Sequence, residues 1–481
     1  MTTGMGTGTG TSTAAGAGAA GTPAARRGGR RIHEWDPEDE AFWERTGRRT
    51  AHRNLAFSIL SEHIGFSVWS LWSVMVLFMG PAYHVDPAGK FFLVAVPTLV
   101  GSFVRIPYTF AVARFGGRTW TVVSALLLLL PAGAAALVME PGTPYTAFLL
   151  VGALTGLGGG NFASSMTNIN AFFPLRRKGW ALGLNAGGGN IGVPVVQLVA
   201  LAVIATAGAG HPRIVLGVYI PLIVVAAVCA ALFMDDLAPV RADTGALREV
   251  VRERHTWIMS VLYVGTFGSF IGFSFAFGLV LQNQFGRTPL EAAQLTFVGP
   301  LLGSLVRPVG GRLADRRGGA RVTFWTFGAM AAAAGTVLYA SSVRSLPVFL
   351  AGFTGLFVFS GIGNGSTYRM IPGIFRAEAD ARALADGGTA AQAAARARRL
   401  SGAAIGVIGA VGALGGLLIN LAFRQSFLTE GTGSPAFASF LAAYAVCSAL
   451  TWAVYLRRPA ASPAPAAGEG ADPARPALAE V

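Results

Sequence analysis

The sequence predicts an all-α membrane protein with twelve transmembrane helices in two pseudo-symmetric six-helix bundles, and three observations carry that prediction. The 481 residues are 53% hydrophobic and only 12% charged, about half the charged share usual in soluble domains. The apolar residues come in blocks of roughly 20 or more, the length a helix needs to cross about 30 Å of hydrocarbon. The block pattern also repeats once along the chain, at a shift of about 200 residues, the internal duplication usual in secondary transporters. Sixty-four glycines fit the same class, because small residues let membrane helices approach closely.

In order, the predicted spans cover residues 57–79, 91–112, 120–138, 146–173, 180–207 and 213–234. The second set covers 257–281, 291–312, 322–342, 346–372, 401–424 and 435–456. Residues 1–52 open with a Gly/Thr/Ala-rich run and read as a mostly disordered N-terminal tail. Residues 53–234 then form the first bundle, 235–256 a polar mixed-charge linker, and 257–456 the second bundle. The Pro/Ala-rich stretch 457–481 reads as a disordered C-terminal tail. No short apolar run with a cleavage site precedes the first span, so no cleaved signal peptide is expected.

Of the 37 Lys and Arg residues, 29 fall in the tails and in the segments after even-numbered spans, against five on the opposite side. The positive-inside rule therefore predicts a plasma-membrane protein with both termini and the linker in the cytoplasm. The net charge of +14 is spent at span ends; without aromatic–basic interleaving it does not point to nucleic acid. Cys229 and Cys447 each lie inside an apolar block, so neither a disulfide framework nor a metal cluster is indicated. Nothing calls for a cofactor, and the expected partners are membrane lipid and a small solute.

Two residues break the apolar pattern. Arg105 in "GSFVRIPYTF" and Arg307 in "LLGSLVRPVGG" sit within spans 2 and 8, at duplicate positions 202 residues apart. A guanidinium stays charged and is costly in hydrocarbon. Either arginine alone could snorkel to the surface, but two at matching places point to a shared cavity holding an oxyanion. No acidic residue is expected in the middle of a span; Glu62, placed near the cytoplasmic end of span 1 beside His63, is the nearest. The expected lining is apolar, aromatic or amide: Phe162, Asn161, Asn190, Tyr263, Phe267 and Asn364. Such a lining suits a small, weakly hydrated anion better than a sugar.

Glycine-rich segments frame the amides at 156–174, 183–192, 361–370 and 406–416. They lack a GxxxxGK[ST] pattern, so they are not phosphate loops. Gly187 and Gly189, with Asn161 and Asn364, are candidates for substrate contact or helix packing. After span 8, "GGRLADRRGG" places Asp315 among Arg312, Arg316 and Arg317, and Asp315 with Arg316 is a candidate cytoplasmic gate. The matching stretch after span 2, "ARFGGR", has no acid.

These features together resemble the nitrate/nitrite porter family of the major facilitator superfamily, over about residues 51–456. "GGGNFASSMTNI" in span 4, "AGGGNIG" at 186–192, "AVGALGG" at 410–416 and "GIGNGSTYRM" in span 10 are similar to that family's segments, the two glycine runs to its signatures. The resemblance implies the major facilitator fold, no enzyme activity, and nitrate and nitrite as partners. It implies that Arg105 and Arg307 pair on the anion, Phe162 and Phe267 pack against it, and Tyr263 and Asn190 hydrogen-bond it. Members of the family exchange nitrate for nitrite or carry nitrate with a proton. With no titratable group expected at the midplane, the sequence favours antiport, with proton symport the alternative and organic-anion export or an anion channel further rivals. A monomer suffices for this mechanism.

Overall fold

The computed structural model describes residues 31–238 and 244–457. Among them lie twelve helical spans, so the predicted count stands, with boundaries that mostly lengthen. The first six are Glu40–Phe78, Pro87–Phe115, Gly117–Val138, Tyr145–Phe172, Arg176–Ala207 and Arg213–Phe233. Span 7 is Arg254–Phe285, and spans 9 to 12 are Gly319–Ser342, Leu346–Ala385, Ala390–Glu430 and Ser434–Leu456. These eleven are long and apolar enough to cross a membrane. Span 8 is a short turn, Pro289–Thr296, followed by Val298–Arg317, whose 20 residues reach across but carry Arg307, Arg312, Asp315, Arg316 and Arg317.

The spans start where the chain supplies caps. Asp86 accepts from the Gly89 N–H at the start of span 2, and Thr288 and Glu291 close a capping box at span 8. Leu137, Leu150, Val225, Trp325 and Val446 are exposed on the outer faces, as a lipid-facing surface requires.

Three expectations need correction. Span 1 begins at Glu40, not residue 57, so part of the expected tail is helical. The chain before it also packs on the first bundle: Arg31–Ile32 pairs in parallel with Asp236–Leu237, and Trp35 meets Phe42 and Phe172 edge-on. This two-residue bridge is the one departure from an all-α fold among the described residues. Residues 1–30 of the tail, 239–243 of the linker and 458–481 of the C-terminal stretch lie outside the described residues. Secondly, the linker holds a helix, Thr244–Arg252, whose Glu249 pairs with Arg399 at 3.2 Å and also with Arg396. Thirdly, the segment expected to loop between spans 10 and 11 is helical. Spans 10 and 11 are 40 and 41 residues long and turn over at Gly387 (φ +68°), with Thr389 and Gln392 as a capping box. At 1.5 Å per residue each is about 60 Å long, twice the hydrocarbon thickness.

Contacts between the halves close one end of the molecule. At the end remote from the termini, Phe91 of span 2 stacks on Phe423 and Phe427 of span 11 at 5.4 and 5.0 Å. Trp69 meets Phe275 at 5.8 Å, and Gln197 donates to the Ser274 carbonyl at 3.0 Å. Toward the termini the halves part around a cavity of about 290 Å³. It runs from Arg105 and Phe162 past Thr109 and Asn170 to Arg398 and Leu247 of the linker helix.

Candidate functional site

Arg105 lies at the inner end of this cavity and is 1% exposed. Its Nε donates to the Gly159 carbonyl at 3.1 Å and its Nη1 to the Gly409 carbonyl of the other half at 2.6 Å. The guanidinium is also caged by rings, with its carbon 4.7 Å from the Phe162 centroid, 5.1 Å from Phe267 and 5.3 Å from Trp69. Aromatic faces present negative potential to a cation, so three of them offset part of its desolvation. Nη2 has no partner.

Arg307 is 5% exposed, with Nη2 donating to the Tyr263 hydroxyl at 3.3 Å, Tyr368 at 5.8 Å from its guanidinium carbon, and Nη1 without a partner. Tyr263 stacks on Phe267 at 5.2 Å with the rings 9° apart, and Phe267 stacks on Phe162 at 6.1 Å. An aromatic row therefore joins the two cations, which lie within electrostatic range of each other. Both arginines are buried rather than snorkelling, and the structure brings Arg105, Arg307, Tyr263, Phe162 and Phe267 into one contact cluster, of which Arg105 and Phe162 line the cavity.

Tyr263 and Phe267 owe their places to a wide turn, Val264–Gly268, within span 7, a local underwinding that recurs at functional sites. Glycine does the rest: a Cβ at Gly412 would strike the Tyr263 ring at Cδ1, and one at Gly268 would strike Gly415. At these two crossings the backbones meet as only glycine permits.

Asn190, Asn161 and Asn364 are 1%, 3% and 1% exposed, and none of their side-chain nitrogens or oxygens has a partner. None is therefore an interhelical hydrogen bond of the protein itself. Asn161 packs on Gly65 of span 1. Gly187 is buried yet faces open space where a side chain would stand, whereas a Cβ at Gly189 would strike the Glu62 carboxylate.

That carboxylate overturns the expectation that none lies within the site. Glu62 is fully buried, its Oε2 accepting from the Asn185 amide at 2.6 Å and from the Ser165 hydroxyl, and it lies within electrostatic range of Arg307 and Arg105. The expectation failed because span 1 starts 17 residues earlier than its apolar run, at Glu40 rather than 57, which moves Glu62 from near an end toward the middle.

The sequence reading also missed Tyr368, Trp69, Gly159 and Gly409. Tyr368 had a signal, since it follows Asn364 by one helical turn. Trp69 had a weaker one in Ser70, where span 1 breaks.

The candidate gate is built differently from its expectation. Asp315 pairs with Arg369 of span 10, within the second half, and Arg316 is exposed outside that pair. In the first half the missing acid comes from beyond span 6. Asp236 accepts from the Thr119 N–H at 3.1 Å and hydroxyl at 2.9 Å, beside Gly116 at φ +93°, where a Cβ would meet it.

Two six-helix halves around a buried site that is closed at one end and approached from the other define a secondary transporter. The sequence profile of the Major Facilitator Superfamily matches residues 63–419. The chain is 39% identical over 447 residues to the nitrate/nitrite transporter NarU of Salmonella typhimurium, covering 89% of this chain and 96% of that protein. It is 35% identical over 373 residues to the probable nitrate/nitrite antiporter NarK2 of Thermus thermophilus, covering 72% and 83%. Among solved structures it matches a D-xylose–proton symporter with a TM-score of 0.62 at 14% identity, over 84% of this chain and 97% of that one, a likeness of fold alone. The chain belongs to the Major Facilitator Superfamily and, within it, to the nitrate/nitrite porters.

Proposed function

We propose that the protein exchanges nitrate for nitrite by alternating access, holding one anion at a time between Arg105 and Arg307. The observation that carries this reading is the pair of buried guanidiniums, each with one unpartnered nitrogen, joined by the aromatic row of Phe162, Phe267 and Tyr263. A planar trigonal anion takes paired in-plane hydrogen bonds from such forks, strengthened by charge. Phe162 and Phe267 cover its face, while Tyr263 and the open amide of Asn190 hold its rim. Gly187 leaves room beside it; Asn161 and Asn364 supply further amides, and Gly189 keeps span 5 against span 1.

Two guanidiniums against one buried carboxyl group leave the empty site with net positive charge. Moving that charge through the closed state without an anion is costly, which supports obligatory exchange. Rocking of the two halves opens the site alternately, the glycine crossings serving as slip surfaces and Asp315 with Arg369 steadying spans 8 and 10. The Lys/Arg distribution puts the termini and the wide end of the cavity in the cytoplasm, so this state faces inward from the plasma membrane. One chain contains the whole site and acts as a monomer.

Counterflow tests the reading. Proteoliposomes preloaded with nitrite take up external nitrate, and vesicles loaded with chloride do not. Equal nitrate uptake into both sets of vesicles overturns exchange.

A further inference from the structure

The two halves treat the crevice between their third and sixth helices differently. In the first half Arg118, at the start of span 3, donates from Nε and Nη2 to the Ala231 carbonyl near the end of span 6, at 3.0 and 2.8 Å. That fork ties the two spans together. A shift of 203 residues lays Arg321 of span 9 on Arg118. Arg321, however, is exposed, and its guanidinium has no hydrogen-bond or ion-pair partner among the described residues. In place of the tie a groove opens on the outer face, lined by Phe324, Gly328 and Ala331 of span 9 and Ala445, Ser448 and Trp452 of span 12.

The register of the two spans brings a second arginine to the same end of the groove. Ser448 donates to the Phe324 carbonyl at 3.4 Å. In these antiparallel spans Arg321, about one turn before Phe324, is therefore level with Trp452, about one turn after Ser448. Arg457 folds back on Trp452, its guanidinium carbon 5.8 Å from the ring centroid, and that guanidinium too has no hydrogen-bond or ion-pair partner among the described residues. Trp325 and Trp452 are 68% and 48% exposed beside the two arginines, and tryptophan is the side chain that favours headgroup depth. The Lys/Arg distribution assigns this end to the cytoplasm. From Arg321 to Ala331 the groove runs about 15 Å at 1.5 Å per residue, one leaflet of a hydrocarbon core about 30 Å thick.

We propose that this groove binds a net-anionic phospholipid of the inner leaflet, with one acyl chain along the groove and the phosphate between Arg321 and Arg457. The apolar end has room for a chain, since a Cβ at Gly328 would meet nothing within 4 Å. A chain lying there supplies the dispersion contacts that the groove walls lack. At the polar end, two guanidiniums without a carboxylate partner leave positive charge, and a phosphate diester accepts from both forks. The ammonium of a zwitterionic headgroup faces the same cations and is repelled, so a headgroup without one binds better. Two arginines near the membrane surface together favour an anionic over a zwitterionic lipid by roughly thirtyfold. The site lies on the outer face, apart from Arg105 and Arg307, and does not depend on how the transported anion is held.

Native mass spectrometry of the detergent-purified full-length protein, titrated with phosphatidylglycerol or phosphatidylcholine, tests this directly. The wild type binds a first phosphatidylglycerol roughly thirtyfold more tightly than phosphatidylcholine. Arg321→Gln/Arg457→Gln loses that preference. Arg45→Gln/Arg49→Gln, which removes two exposed arginines at the same membrane face, keeps it. Gly328→Leu fills the groove and loses the tight phosphatidylglycerol, with monodisperse elution of every variant as the folding control. Equal affinity of the wild type for the two lipids overturns the inference, as does a preference that survives in the Arg321/Arg457 double variant. Loss of the preference in the Arg45/Arg49 variant also overturns it, because diffuse surface charge then suffices. Undiminished binding in Gly328→Leu overturns the placement of the chain in the groove.

Discussion

Replacing Arg105 by lysine keeps the charge and removes the fork. The arginine donates two charge-assisted hydrogen bonds to the Gly159 and Gly409 carbonyls, leaves Nη2 for the anion, and lies under three rings. An ammonium on a flexible stem reaches one of those carbonyls or the anion, not all three at once. Losing one hydrogen bond to a charged group costs about 1.5–3 kcal/mol, and a weaker fit in the ring cage about 0.5–1 kcal/mol more. A loss near 3 kcal/mol is roughly a hundredfold in rate or affinity. Nitrate/nitrite counterflow in proteoliposomes, at matched protein content and with a monodisperse detergent preparation as the folding control, reads that loss. The same hundredfold fall is expected for Arg307→Lys. Normal exchange by both lysine variants would show that charge alone suffices and that bidentate geometry has no part in recognition.

Tyr263→Phe removes the hydroxyl that accepts from Arg307 and leaves the ring stack intact, so nitrate affinity falls by about 1 kcal/mol, roughly fivefold, in a binding titration. Gly412→Ala forces a methyl against the Tyr263 ring and should cut exchange more than Tyr263→Phe does, whereas Gly187→Ala meets open space and leaves thermal stability unchanged. Equal melting temperatures for the two alanine variants would refute the packing argument. Asp315→Asn breaks a pair whose side chains are both more than half exposed, so it shifts stability by less than about 1 kcal/mol, an effect that vanishes in high salt. A large exchange defect in Asp315→Asn with unchanged nitrate affinity would instead show that this pair controls the conformational step.

Which parts of the site were legible follows from the kind of signal each residue carries. Arg105 and Arg307 announced themselves because a cation in an apolar run is anomalous wherever the helix lies, and the duplication made the anomaly double. Phe162, Phe267 and Tyr263 stood out through the segments around them, and the chamber does gather them. Glu62 was visible as a residue but misplaced, because hydropathy finds the apolar part of a helix and not its polar beginning. The polar first turns of span 1 and the extensions of spans 10 and 11 were lost for the same reason. The Asp236 cap on span 3 had no local signature, since donor and acceptor are 117 residues apart.

The sequence by itself determined the solvent, the number of spans, the two-half organisation and the presence of paired cations. All of these depend on composition and period along one segment, or on a comparison between two segments. Only the tertiary structure decided the Arg105 bond to Gly409 across 304 residues, the cage of Trp69, Phe162 and Phe267, and the presence of the Glu62 carboxyl group beside the two cations. These depend on the rotation of each helix about its axis and on which glycines let two backbones touch. Both are fixed by packing against other spans, and no single stretch of chain contains that information.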